Sequence, residues 1–127
     1  MNIARLDHLV LTVTDIQRSC DFYERVLGFV ITSFKENRKA LTFGNQKINS
    51  HEAGKEFEPK AIGIPGSADL CFNAKKPLDD VVTHLRNLAI PIDEGPVVCT
   101  GATSSILSVY IRDPDENLIE ISNEIKN

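Results

Sequence analysis

The sequence predicts an α+β fold: two βαβββ modules pair so that their sheets curve around a shared cavity, with the helices outside. Three observations carry this expectation. Residues 8–15 and residues 69–76 both alternate like strands, and each run leads into an amphipathic segment of helical spacing. The correspondence continues past the helices, where Leu27-Gly28-Phe29 falls on Leu88-Ala89-Ile90 and Ile31 falls on Ile92. Short alternating runs then follow in each half. A copied unit of this kind buries its sheet only by packing, so both copies belong to a single domain spanning residues 1–127. Polar residues at equivalent places in the copies, His8 and Asp69 first among them, mark where a site would form.

Residues 3–13 read as the first strand, with Leu9, Leu11 and Val13 on one face and His8, Val10 and Thr12 on the other. Asp15 has the chemistry of a helix N-cap. Ile16, Cys20, Tyr23 and Leu27 then recur at helical spacing, and Gly28 suits the end of the helix. Residues 29–35, 39–43 and 47–51 read as strands, the last two joined by a Gly44-Asn45 turn. Module 1 therefore ends near residue 52. Residues 52–67 lose all periodicity and contain three glycines and two prolines. A loop of this length is uncommon unless functional or mobile. Residues 53–67 read first as a tether between modules and second as a flap over a site.

Module 2 runs from residue 68 to about 125. Residues 68–74 read as a strand, and Pro77 suits the first turn of a helix whose buried stripe is Leu78, Val81, Val82, Leu85 and Leu88. Residues 91–94 and 105–112 read as strands. Asp113-Pro114-Asp115-Glu116-Asn117 reads as a turn, and residues 118–122 close the module.

Bulk properties exclude several classes. A net charge of −4 and a pI near 5.3 argue against a nucleic-acid surface, which needs a basic face. No apolar run reaches membrane-spanning length, and the N-terminus does not read as a signal peptide. Three cysteines without C-x-x-C spacing do not make a disulfide framework, so a reduced cytoplasmic setting is expected.

Four features resemble the vicinal oxygen chelate superfamily, which includes glyoxalase I, fosfomycin-resistance thiol transferases, extradiol dioxygenases and bleomycin-binding proteins. They are Leu6-Asp7-His8-Leu9-Val10-Leu11, the helix Ser19-Cys20-Asp21-Phe22-Tyr23-Glu24-Arg25-Val26-Leu27-Gly28-Phe29, the doubled βαβββ order, and Asp113-Pro114-Asp115-Glu116-Asn117-Leu118-Ile119-Glu120. The stretch 47–61, beginning Lys47-Ile48-Asn49-Ser50-His51-Glu52, also resembles a branch of glyoxalase domain-containing proteins. Members of that branch are often labelled lactoylglutathione-lyase-like or, in bacteria, virulence-associated.

The resemblance implies metal ligands on the first and last strands of each half, which here are His8, Asn49, Asp69 and Glu120. Strand parity supports inward positions for three of them. Leu9 and Leu11 must face a helix, as must Leu70 with Phe72 and Ile119 with Ile121, which turns His8, Asp69 and Glu120 the other way. Imidazole with carboxylate suits Zn²⁺, Ni²⁺, Fe²⁺ or Mn²⁺. Asn49 departs from the pattern, since glyoxalase I carries glutamate there and an amide is a weak ligand. Asp69 stands where histidine is common. His51, two residues beyond Asn49, either supplies an imidazole or is an exposed strand-end histidine.

The implied metal set is His8 and Glu120 with His51, Asp69 or both, and Glu120 or Asp69 would double as the catalytic base. Ser108 and Tyr110, opposite in parity to Val109 and Ile111, would bind substrate together with Asn49 and the loop residues Thr103 and Ser104. Cys71 reads as a small buried residue rather than a nucleophile. His84, on the outer face of the second helix, is assigned no role. The function implied is a homodimeric, metal-dependent, glyoxalase-like lyase or isomerase acting on a small molecule. An extradiol-type dioxygenase and a metal-free drug-binding protein are the alternatives.

Overall fold

In the computed structural model, which describes residues 1–35 and 37–126, the chain divides into two compact units, Met1–Ser67 and Ala68–Asn127. Each is a βαβββ module built on a four-stranded mixed sheet, as the internal repeat predicts.

The first unit contains β1 (Leu9–Val13), α1 (Ile16–Leu27), β2 (Val30–Phe34), β3 (Arg38–Phe43) and β4 (Gln46–Glu52). Its strand order is β1-β4-β3-β2, with β1 parallel to β4. The Asp15 side chain accepts from the Arg18 N–H at 3.1 Å and so caps α1, while Gly28 ends the helix at φ 72°. Leu11, Val13, Leu41 and Ile48 are buried on the sheet face of helix-side parity, and Cys20, Tyr23 and Val26 are buried on α1. Tyr23, Phe29 and Phe43 stack in series, with ring centroids 5.7 and 4.5 Å apart. Burying a large apolar side chain of this kind is worth roughly 1.5–3 kcal/mol.

The second unit contains β5 (Asp69–Asn73), α2 (Leu78–Asn87), β6 (Glu94–Thr100), β7 (Ser105–Arg112) and β8 (Leu118–Glu124), in the order β5-β8-β7-β6. Its core is Leu78 and Leu85 of α2 with Val109, Ile111, Ile119 and Ile121 of the sheet. Pro77 precedes α2 and offers no side-chain cap. Asn123 replaces it, its Oδ1 accepting from the Leu78 N–H at 2.6 Å. Ala89 occupies the place equivalent to Gly28 and adopts the same left-handed conformation, at φ 56°. The repeat is thus kept in the backbone even where the glycine is not.

Several predicted elements differ from those observed. The first strand starts at Leu9, not at residue 3, so His8 lies before it. Its partner β4 begins immediately after the Gly44-Asn45 turn, which leaves almost nothing for earlier residues to pair with. Residues 91–93 are not a strand, and β6 instead covers Glu94–Thr100. Gly95-Pro96 hides it from pattern reading, and such a pair is tolerated because β6 is an edge strand with a bulge between Glu94 and Val97. The glycine is required there: at φ 106°, any Cβ would run into the Ser108 carbonyl. Val81 and Val82 of α2, and Leu88 just past its end, are only half-buried.

The 53–67 segment is more than a tether. It belongs to the first unit and packs on the sheet face of opposite parity to the buried one. Phe57 meets His51 and Arg38, and Gly63 lies so close to the Thr12 side chain that a Cβ would not fit.

Candidate functional site

In the second unit, alternation divides the sheet. Val109, Ile111, Ile119 and Ile121 are buried with α2, and the intervening residues present polar groups on the other face. The β8 register sets Glu120 opposite Cys71 of β5 and Tyr110 of β7, while Ser122 faces Asn73 and Ser108. The fully buried Ser108 hydroxyl donates to Glu120 Oε2 at 2.5 Å. This is a charge-assisted bond that fixes the carboxylate mid-strand. Ser122 Oγ donates to Asn73 Oδ1 at 2.8 Å and lies 3.5 Å from Cys71 Sγ. The Tyr110 hydroxyl lies 3.3 Å from Cys99 Sγ.

These neighbours tune the protons on this face. The adjacent Cys99 thiol, desolvation and the Glu120 charge together hold the Tyr110 phenol well above its ordinary range. It therefore remains a donor at any physiological pH. Burial pushes the Cys71 thiol up as well; the Ser122 hydroxyl opposes the shift and the Glu120 charge reinforces it. Cys71 is accordingly a protonated thiol rather than a nucleophile, although the residue is exposed rather than buried as the sequence suggests. Asp69 sits exposed at the start of β5, of the same parity as Cys71.

In the first unit, Asn49 of β4 lies opposite Val10 of β1 and Ala40 of β3, and His51 lies opposite Thr12. One step beyond the Lys39–Ser50 pair, the antiparallel register brings Arg38 across from His51. The registers of the two units correspond. The residue two beyond His8 pairs with Asn49, as the residue two beyond Asp69 pairs with Glu120. Asn49 Oδ1 is buried without a protein hydrogen-bond partner. His51 is half-buried rather than a free strand end, with its ring edge-on to Phe57 at 5.5 Å.

His8 is exposed, and its Nδ1 lies 2.8 Å from Asp7 Oδ1. That hydrogen bond is the main cause that holds the Asp7 carboxyl below its usual range. An imidazole donating from Nδ1 to a carboxylate presents Nε2 as its free nitrogen, the arrangement common among metal-binding histidines.

The remaining predicted residues are engaged locally. Ser104 Oγ donates to the Ser105 carbonyl at 3.0 Å, and Thr103 is exposed in the same hairpin. Among the described residues, no three His, Cys, Asp or Glu side chains converge as a metal-ligand group. Sequence reading missed Cys99, Ser122, Arg38 and Phe57. The misplaced β6 concealed the parity of Cys99, and Phe57 lies in a segment with no periodicity at all.

The family model described as Glyoxalase/Bleomycin resistance protein/Dioxygenase superfamily matches residues 5–121. The chain belongs to that superfamily. A Salmonella typhimurium relative, virulence protein STM3117, is 61% identical over 96% of this chain and 85% of its own length. The crystal structure of that virulence protein superposes with a TM-score of 0.96 at 60% identity, covering 98% of this chain and all of the other. Glyoxalase domain-containing protein RDO1 of Mycosarcoma maydis is 52% identical over 96% of this chain and 69% of its own.

More distant superfamily members include the lactoylglutathione lyase of Escherichia coli O157:H7, 27% identical over 94% of this chain and 93% of its own. The Listeria monocytogenes fosfomycin resistance protein FosX, in a mutant form complexed with Mn(II) and a dihydroxypropylphosphonic acid, shares the fold at 16% identity. Its TM-score is 0.68, over 98% of this chain and 93% of that one. Among the described residues, no helix is long and apolar enough to cross a membrane.

Proposed function

We propose that this protein is a divalent-metal-dependent, glyoxalase-like lyase or isomerase that acts, as a homodimer, on a small molecule carrying adjacent oxygens. The observation that carries this reading is the held carboxylate of Glu120. Ser108 engages Oε2 and leaves Oε1 outside that bond. His8, oriented through Nδ1 by Asp7, likewise keeps Nε2 outside its bond. On this reading a divalent cation would be held by His8 and Glu120 with His51, Asp69 or both, an imidazole and carboxylate set whose chemistry suits such an ion. When bound, such an ion supplies Lewis acidity toward the two substrate oxygens. Superfamily membership and the Mn(II) complex of FosX support the reading.

The residues contribute the rest of the chemistry. Glu120 or Asp69 accepts the substrate proton. The Tyr110 phenol, kept protonated by its surroundings, donates a hydrogen bond to a substrate oxygen. Ser108 acts as a positioning residue, because its buried hydroxyl is committed to Glu120.

Elemental mass spectrometry on untagged protein purified without chelator tests the proposal. A stoichiometric metal is expected, strongly depleted by His8→Ala and by Glu120→Ala and retained by His84→Ala. Wild-type protein that stays empty when titrated with Zn²⁺, Ni²⁺, Mn²⁺ and Fe²⁺ would refute it, as would equal retention by all three variants. One observation favours a second reading, a metal-free binding protein: the neutral Asn49 amide holds the register position that Glu120 holds in the other unit.

A further inference from the structure

Two hydroxyls are buried between α1 and the sheet of the first unit. Ser19 of α1 and Ser50 of β4 are each 1% exposed, and neither Oγ has a protein hydrogen-bond partner. Ser50 shares the parity of Ile48 and lies opposite Leu11 and Lys39, on the helix side of the sheet. The other side carries Asn49 and His51 and is packed by the 53–67 strap.

Two observations place Ser19 over Ser50. First, the Ile16 N–H, at the start of α1, donates to Glu52 Oε1 at 3.4 Å. The chain reverses direction between β1 and α1, and β4 runs parallel to β1, so moving along α1 from that contact is moving back along β4. Ser19 lies three helical residues past Ile16, about 4.5 Å along the axis and on the same side of the helix. Ser50 lies two strand residues before Glu52, about 6.6 Å back. The two hydroxyls thus stand at nearly the same level. Second, burial pushes up the thiol of Cys20, the residue after Ser19, and the charge of Lys39 opposes that shift. Lys39 is the cross-strand partner of Ser50.

The repeat supplies a contrast. Leu11 pairs with Ser50 in the first unit as Phe72 pairs with Ile121 in the second, so an apolar side chain holds the equivalent buried place there. A buried hydroxyl has lost its hydration and retains one donor and two acceptor sites to satisfy. The surroundings restrict what can do so. Leu11, Val13, Leu41 and Ile48 make the rest of this sheet face apolar, and Lys39 Nζ donates to Ser33 Oγ at 2.7 Å, which holds its charge on the β2 side. A bare ion would be costly between two neutral hydroxyls. A water needs only about two to four polar partners, and two bonds of about 2.8 Å through it join hydroxyls roughly 5 Å apart.

We infer that Ser19 and Ser50 hold an internal water that pins the first turns of α1 to β4, the strand whose opposite face carries Asn49 and His51. This inference rests on the helix side of the first unit and does not depend on the metal-centred reading.

A crystal structure of the full wild-type chain, at a resolution that shows ordered waters, tests it directly. One ordered water within hydrogen-bond distance of both Oγ atoms is expected. A direct bond between the two hydroxyls, hydroxyls turned onto backbone carbonyls, or no water between them would overturn the inference. In solution, ¹⁷O relaxation dispersion counts long-lived waters without interference from exchanging hydroxyl protons. Ser50→Val fills the place with methyl groups, as Ile121 does in the second unit, and is expected to remove one long-lived water. An unchanged count would equally refute the site. The crystal result needs no variant, so it decides the matter even where Ser50→Val fails to fold.

Discussion

Replacing Asn117 by alanine should destabilise the second unit more than its place in a surface turn suggests. Asn117 is fully buried in the 113–117 turn. Its Nδ2 donates to Asp113 Oδ2 at 2.8 Å, and its Oδ1 accepts from the Ala68 N–H at 2.8 Å. Its backbone N–H also donates to Asp113 Oδ1 at 2.9 Å, and the Leu118 N–H donates to the Ala68 carbonyl at 3.0 Å. The side chain therefore ties the β7–β8 turn to the start of β5, which sets the register that brings Cys71 opposite Glu120. Alanine deletes both side-chain bonds, removing the acceptor of the part-buried Ala68 N–H and one donor to the Asp113 carboxylate. At about 1–3 kcal/mol for each lost bond, the expected loss is roughly 2–6 kcal/mol. Urea unfolding at neutral pH measures the loss, and amide exchange at Ala68 locates it. A change below about 1 kcal/mol, or unaltered protection at Ala68, would refute the reasoning, since the turn would then hold the register without this side chain.

Two further predictions concern protons on the polar face of the second unit. Because the Tyr110 phenol is held above its ordinary value, its contribution to stability is complete below the unfolded tyrosine pKa of about 10 and declines as pH rises beyond it. Urea midpoints between neutral pH and about pH 11 should therefore fall more steeply for wild type than for Tyr110→Phe, and parallel profiles would contradict the assignment. Cys71, its thiol pushed up by burial, should react with iodoacetamide at neutral pH more slowly in the folded protein than in urea. Equal rates would show that the thiol is not suppressed.

Much of the architecture was legible because burial imposes periodicity. The helix-facing residues of β1, β5 and β8 direct His8, Asp69 and Glu120 toward the opposite parity, and in the structure Asp69 and Glu120 alternate with the apolar residues of their strands. Asp15 and Gly28 were readable because capping depends on residue chemistry alone. What pattern reading missed arose from pairing. Whether residues 3–8 join a strand depends on where β4 begins, and Gly95-Pro96 sits within a strand only because β6 is an edge. Phe57 could not be anticipated, because its partners Arg38 and His51 lie on two strands that precede the strap.

By itself, the sequence determined the doubled α+β plan, the parity of the principal carboxylates and the family resemblance, since alternation and capping are local consequences of residue chemistry. Only the tertiary structure decided which side chains meet. Ser108 is spent on Glu120 and Tyr110 is set beside Cys99, while Arg38 is stacked under the 53–67 strap. These contacts join residues on different strands and loops, and their distances are set by register and packing rather than by spacing along the chain.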